Sequence, residues 1–308
     1  MTRAVVFAYH NVGVRCLKTL LAYRVQVALV VTHADNPNEQ IWFDSVAATA
    51  VDYGIPVIAP ENPNAPEELR RIRELAPDFL FSFYYRQLLT PELLAIAPCG
   101  ALNMHGSLLP KYRGRVPINW AIIHGETETG ATLHYMEAKP DAGDIVAQTA
   151  VPILPDDTAR EVFDKVTVAA EMTLHQVLPA LIAGNAPRIA QNPRQGSYFS
   201  GRKPEDGRID WSGSAVGVHN LVRAVAPPYP GAFTTVAGQP ARVLRTRVMV
   251  ANAIRIPEPF LELVGARLVA RCAGGGALHV LALELAGELV TPATLIERLG
   301  PGPWRLGA

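Results

Sequence analysis

The chain has 308 residues, and 28 Lys and Arg balance 28 Asp and Glu to a formal net charge of zero. That balance counts against a dedicated nucleic-acid binder, and 49% hydrophobic against 18% charged residues excludes a disordered chain. Cys16, Cys99 and Cys272 are odd in number and far apart, so neither a disulfide framework nor a zinc spacing is implied.

Arg3–Tyr9 is a β-branched apolar run that predicts a strand, followed by a helix from about Val12 to Tyr23. Strands are expected at Val25–Thr32, Pro56–Ala59 and Asp78–Tyr84, with helices over Ile41–Tyr53 and Ala65–Leu75 between them. Continuous apolar runs such as VQVALVV mark strands covered on both faces. The alternation predicts an α/β, doubly wound, mostly parallel sheet. The first turn, Tyr9-His10-Asn11-Val12-Gly13, carries no GxGxxG, so no dinucleotide site is expected there. No apolar run reaches membrane length and the start lacks a signal pattern, so a cytoplasmic protein is expected.

Further along, Ala101–His105 and Gly130–Glu137 are expected strands. Thr158-Ala-Arg-Glu161 reads as a capping box that opens a helix from about Thr158 to Ala183, with Gly184 at its end. From Asn185 to Pro204 the composition turns to Pro, Gly, Asn, Arg and Ser, the signature of a linker. Shorter strands come next at Ala241–Val250, Leu261–Val264, Arg267–Cys272 and Ala277–Leu285, which predict a small β-rich, OB-like barrel. Two domains are therefore expected, 1–203 and 204–308.

The chemistry concentrates between Cys99 and Val146. Asn103 and His105 lie two apart on a strand and project to one face at its carboxyl end, where open α/β sheets hold ligands. An amide can donate to a developing oxyanion and an imidazole can move a proton. A structural, hydrogen-bonding histidine is the plain alternative. The loop Ser107–Arg115 adds Lys111, Arg113 and Arg115 on a backbone shaped by Gly106, Pro110 and Gly114. Such a loop suits an anionic substrate, and equally a solvated basic turn. The turn Asp141-Ala-Gly-Asp144 brings a carboxylate toward His105 or is a simple Asx turn. His124, His134, His175, His219 and His279 lack ligand spacing and read as structural, whereas His10 and His33 border the cleft without a derived role. No metal site is expected.

Asn103-Met-His105, the loop SLLPKYRGR, the run ETETGATLH, the turn Asp141–Asp144 and the later Arg223–Phe233 (RAVAPPYPGAF) together resemble the folate-dependent formyltransferases. The resemblance implies a Rossmann-like formyltransferase domain that moves a formyl group from 10-formyltetrahydrofolate to an amine without a metal. It implies that Asn103 donates to the oxyanion, His105 shuttles the proton and Asp141 holds the imidazole. It further implies a folate pocket lined by Gln87, Leu88, Leu89, Glu137, Ala138, Lys139, Pro140 and Asp141, with Arg115 contacting a sugar nucleotide. Arg202 and Arg223 are left to the nucleotide or to a domain interface.

Within the superfamily the resemblance is greatest to the formyltransferase half of the bifunctional polymyxin-resistance enzymes. It is carried by Val5–His10 (VVFAYH), Thr32–Pro37 (THADNP), Phe81–Arg86 (FSFYYR) and His105–Arg115. This implies UDP-4-amino-4-deoxy-L-arabinose as the acceptor, in lipid A modification. The tRNA-formylating members typically carry Ala-Gly-Thr-Pro after the first strand and Ala after the histidine. Methionyl-tRNA and another nucleotide-linked amino sugar stand as the alternative acceptors. The sequence stops at residue 308 without the dehydrogenase half of the bifunctional enzymes. Either a separate dehydrogenase–decarboxylase partner or a different amino sugar is expected. Oligomeric state is not legible.

Overall fold

The structure, a computed structural model, describes residues 1–37, 39–250 and 255–307. Alternating strands and helices build the first half: β1 (Arg3–Ala8), α1 (His10–Ala22), β2 (Gln26–Val31), α2 (Val46–Asp52), β3 (Val57–Ile58), α3 (Pro66–Glu74), β4 (Phe79–Phe83), α4 (Pro91–Leu94) and β5 (Gly100–His105). Next come β6 (Arg113–Gly114), α5 (Pro117–Ile123), β7 (Glu128–Tyr135), β8 (Ile145–Pro152), α6 (Ala159–Ile182) and β9 (Tyr198–Phe199).

The main sheet has the order β3-β2-β1-β4-β5-β7-β8. Its first five strands are parallel, and β7 and β8 are added antiparallel. All five residues of β4 are buried, as a strand covered on both faces requires. Val5, Phe7, Leu29, Val31, Leu80 and Ala101 join in one buried cluster with Ile72 of α3. The sheet thus places the carboxyl ends of β1, β4 and β5 side by side. That edge carries the site.

Local patterning explains several elements and tertiary contacts override others. The Thr158 amide donates to Glu161 Oε2 at 2.7 Å while the Glu161 amide reaches Thr158 Oγ1 at 3.3 Å, so the expected capping box opens α6. Helix α2 starts at Val46 rather than Ile41, with Ser45 accepting from the Ala48 amide at 3.2 Å. Trp42 and Phe43 are held outside the helix by the His10 ring, with centroids 4.5 and 3.8 Å away. β8 escapes a reading from sequence because its alternating exposure comes directly after a turn.

The remaining elements are α7 (Ala215–Ala224), β10 (Ala232–Val236), β11 (Gln239–Val250), β12 (Phe260–Val264), β13 (Arg267–Arg271), β14 (Ala277–Leu285), β15 (Glu288–Val290), α8 (Pro292–Leu299) and β16 (Trp304–Gly307). The order β11-β10-β16-β12-β13-β14 closes through a β11–β14 pairing into an antiparallel barrel, with β15 beside β14. Closure removes the exposed strand edges. Trp211, Leu261, Leu268, Leu278, Leu283 and Trp304 fill its interior.

The chain divides into two compact units, 1–117 with 128–152 and 164–200, and 118–127 with 153–163 and 201–308. The second unit therefore takes two excursions from the first 200 residues, which a single linear cut does not provide. Within it the Asn119 amide donates to the Ala224 carbonyl at 2.7 Å. Arg223, buried, donates to the carbonyls of Leu154 (3.3 Å) and Asp157 (3.1 Å), and burial pushes its guanidinium down. Arg202 lies over the Trp120 ring at 4.8 Å. Among the described residues, no helix is long and apolar enough to cross a membrane.

Candidate active site

β5 delivers Asn103 and His105 to one face, and β7 runs antiparallel beside it with His134 opposite Asn103. Asp141 sits in the turn between β7 and β8 with φ 53°, a left-handed conformation that non-glycine residues rarely adopt. These four side chains converge. Asp141 Oδ1 lies 3.5 Å from His105 Nδ1 and 3.5 Å from His134 Nε2, and Asn103 Nδ2 also donates to it at 3.5 Å. Asp141 Oδ2 accepts the Gly114 amide at 2.8 Å.

Backbone carbonyls fix both imidazoles. A carbonyl only accepts, so the 2.8 Å contact of His105 Nε2 with the Tyr112 oxygen makes Nε2 the N–H and leaves Nδ1 facing Asp141. In the same way the 2.7 Å contact of His134 Nδ1 with the Tyr135 oxygen leaves His134 Nε2 as an acceptor. It receives Asn103 Nδ2 at 3.1 Å, which settles which way the amide faces. An amide NH2 carries two donors, and here His134 Nε2 takes one and Asp141 Oδ1, at the long distance of 3.5 Å, takes the other.

His105 is 6% exposed and His134 1%, so the carboxylate beside them acts through little solvent. Burial pushes the Asp141 carboxyl up, but His105, the His134 contacts and the Gly114 amide outweigh it and hold it well below the usual carboxylate range. Asp141 is therefore ionised at neutral pH.

The basic loop is tied down rather than solvated. β6 pairs in parallel with β9, the Tyr112 amide donates to Ser197 Oγ at 2.8 Å, and Ser107 Oγ donates to the Lys111 carbonyl at 2.7 Å. The expected linker is thus partly a strand that clamps the site. Gly114 has φ 96°, and a Cβ there would overlap the Phe199 carbonyl oxygen. Gly114→Ala is expected to cost at least about 1–2 kcal/mol from the backbone alone, and more from the overlap. Thermal melting of the variant checks the stability loss, and turnover should fall with it because the Gly114 amide is the Asp141 donor.

The remaining sequence-chosen residues border this cluster. Arg115 is exposed one residue beyond Gly114, its amide donating to Phe199 at 3.0 Å, whereas Arg113 is buried. Leu89 joins the buried cluster that Met136 packs against, bringing 87–89 and 137–141 to the same edge. Leu88 is 73% exposed, Gln87 donates to the Glu61 carbonyl at 3.0 Å, and Glu137, Ala138 and Lys139 are exposed. Among the described residues no group of three or more His, Cys, Asp or Glu could hold a metal ion.

His134, which its spacing makes structural, touches both Asn103 and Asp141, a placement that only the β5–β7 register reveals. His219 is structural, with Nδ1 at 2.8 Å from Thr246 Oγ1 and Nε2 at 2.9 Å from the Pro155 oxygen. His33 accepts the Arg86 amide at Nε2 (3.0 Å) and stacks on Tyr85 at 4.1 Å. Burial, and then Arg86, bring its pKa down to about 4, so it is neutral at pH 7.

Comparison with known proteins bears on this arrangement. Residues 10–178 match the formyl transferase family and residues 202–297 the formyl transferase C-terminal domain. The chain is similar to the N-formyltransferase of Helicobacter canadensis solved with folinic acid and dTDP-3-aminofucose (21% identity, 91% of this chain, 99% of that one, TM-score 0.70). It is similar to the sugar 3N-formyl transferase WlaRD solved with dTDP and 5-N-formyl-THF (20%, 94% and 99%, 0.71). HypX of Aquifex aeolicus, solved with tetrahydrofolic acid, matches at 18% identity over 96% of this chain and 46% of that one, with a TM-score of 0.62. With the family model spanning more than half of its residues, this chain belongs to the formyl transferase family.

Proposed function

We propose that the protein transfers a formyl group from 10-formyltetrahydrofolate to the amine of a nucleotide-linked amino sugar, UDP-4-amino-4-deoxy-L-arabinose. The observation that carries the transfer chemistry is the convergence of Asn103, His105 and Asp141 at the carboxyl end of β5. In this reading 1–203 is the catalytic domain and 204–308 a β-barrel domain, and the enzyme works in the cytoplasm in lipid A modification. The donor carries its formyl group on an anilinic nitrogen, already activated toward an amine. Leu88, Leu89 and the segment Glu137–Asp141 hold the flat ring system, with Gln87 at the rim.

Asn103 turns an N–H from its long 3.5 Å contact with Asp141 to the oxyanion that develops as the amine nitrogen bonds to the formyl carbon. Comparable oxyanion donors contribute about 3–4 kcal/mol. His105 Nδ1 accepts the proton released by the attacking amine and delivers it to the folate nitrogen as the old C–N bond breaks. Asp141 holds the imidazole and balances its charge. His105 Nδ1 and Asp141 Oδ1 stand 3.5 Å apart, a contact that substrate or one water closes.

The acceptor assignment rests on the stretches VVFAYH, THADNP, FSFYYR and HGSLLPKYRGR. The zero net charge supports it over a tRNA, which needs a broad basic surface. A dTDP-linked amino sugar is the second reading, supported by the ligands of the Helicobacter canadensis enzyme and WlaRD. Arg115, exposed beside Gly114, contacts the diphosphate. Arg115→Ala is expected to raise KM for the sugar nucleotide by about tenfold or more, one charge-assisted contact, and to leave folate KM within twofold. A coupled assay across UDP-, dTDP- and GDP-linked amino sugars and charged initiator tRNA tests the reading. Formylation of the tRNA alone overturns the acceptor and spares the chemistry.

A further inference from the structure

The segment that sequence marks as a linker runs under the Asp141 turn. Ile189 and Ile145 exchange both backbone hydrogen bonds, at 2.8 and 2.9 Å, and this fixes the register of residues 190–192 against the turn. Arg188 lies over the Tyr135 ring at 3.8 Å and reaches Asp144 at 3.6 Å. Two residues past Ile189, Gln191 Nε2 donates to the Asp141 carbonyl at 3.0 Å and to the Gly143 carbonyl at 2.7 Å. Two carbonyl partners require the amide NH2 on that side; the opposite orientation would set oxygen against oxygen. Gln191 Oε1 is buried without a hydrogen-bond partner, an energetic cost that the two donated bonds must offset.

The turn needs this help. Asp141 holds φ 53°, and Gly143 approaches the Tyr135 carbonyl so closely that a Cβ would overlap it. Without an outside partner the turn would relax toward commoner backbone angles and swing the carboxylate off His105.

We propose that Gln191 is a positioning residue of the formyl-transfer site: its amide pins the Asp141 and Gly143 carbonyls and so sets the Asp141 carboxylate against His105. This rests on the reading of Asp141 as part of that site. Gln191 does not touch the reacting atoms; it acts through Asp141.

The test combines kinetics with an activity-independent readout. With 10-formyltetrahydrofolate and an acceptor that the wild type formylates, Gln191→Ala is expected to lower kcat about 10- to 100-fold, as misplacement of a catalytic group does. Folate KM stays within twofold. In an Asp141→Asn background the same change costs under about threefold, because residues that act as one unit are not additive. The Asp141 carboxyl, followed by carbon NMR titration, moves up toward the ordinary range in Gln191→Ala. Should Gln191→Ala fail to fold, the isosteric Gln191→Glu, with an oxygen in place of the donor, is expected to show the same kcat and titration changes. Wild-type kcat, equal losses in both backgrounds, a loss confined to folate KM, or an unmoved titration overturns the proposal. If the wild type formylates no acceptor, the formyl-transfer reading fails while the titration still judges the clamp.

Discussion

His105→Ala is expected to lower turnover by about 10²–10⁴-fold, the range that a positioned acid–base group contributes. Folate affinity, measured by calorimetric titration, should stay within about threefold, because the proposed binding mode holds the ring by segments 87–89 and 137–141 rather than by the imidazole. His105 is buried, so the truncation also removes the shorter of two donors to the Tyr112 carbonyl, leaving Ser107 Oγ at 3.5 Å. His105→Gln, which preserves much of the volume, separates lost packing from lost proton transfer. Near-normal turnover in both variants would remove His105 from the mechanism.

Asp141→Asn is expected to cost about a hundredfold or more in turnover, on the same acid–base scale. It also carries a pH signature. The folded-state pKa of Asp141 is depressed, so its carboxylate contacts stabilise the fold fully above the ordinary carboxyl value of about 4. That contribution is lost as pH falls from about 4 toward the depressed value. The melting-temperature advantage of the wild type over Asp141→Asn should therefore be largest near neutrality and narrow below about pH 4. A constant difference between pH 7 and pH 3 would show that the Asp141 charge does not stabilise the fold.

How much is legible in the chain depends on how far apart the partners lie. Thr158 and Glu161 cap a helix from three residues apart, and Asn103 and His105 share a face because strands alternate; both signals are local. His134 lies 31 residues from Asn103, and only the antiparallel register of β5 and β7 makes them neighbours. No periodicity announces that pairing. Gln191 is 50 residues from the carbonyl it holds, inside a stretch whose Pro, Gly and Asn content spells linker. Composition reports the irregular backbone correctly and misses what that backbone grips. Trp42 and Phe43 show the converse, with helical pattern overruled by rings packed on His10. The barrel strands are partly legible, yet β10 and β16, neighbours in the ring, are not, being short and separated by 67 residues between Val236 and Trp304.

During synthesis the chain meets these distances in order. A nascent chain that ends at Ile182 already contains every strand of the main sheet, including the pairing of Ala4 with Phe79. Its Asp141 turn still lacks Gln191, and the Tyr112 amide still lacks Ser197, a partner 85 residues away. Competence for chemistry is thus conferred after the scaffold is complete, and a half-made chain can be folded while its carboxylate is unset.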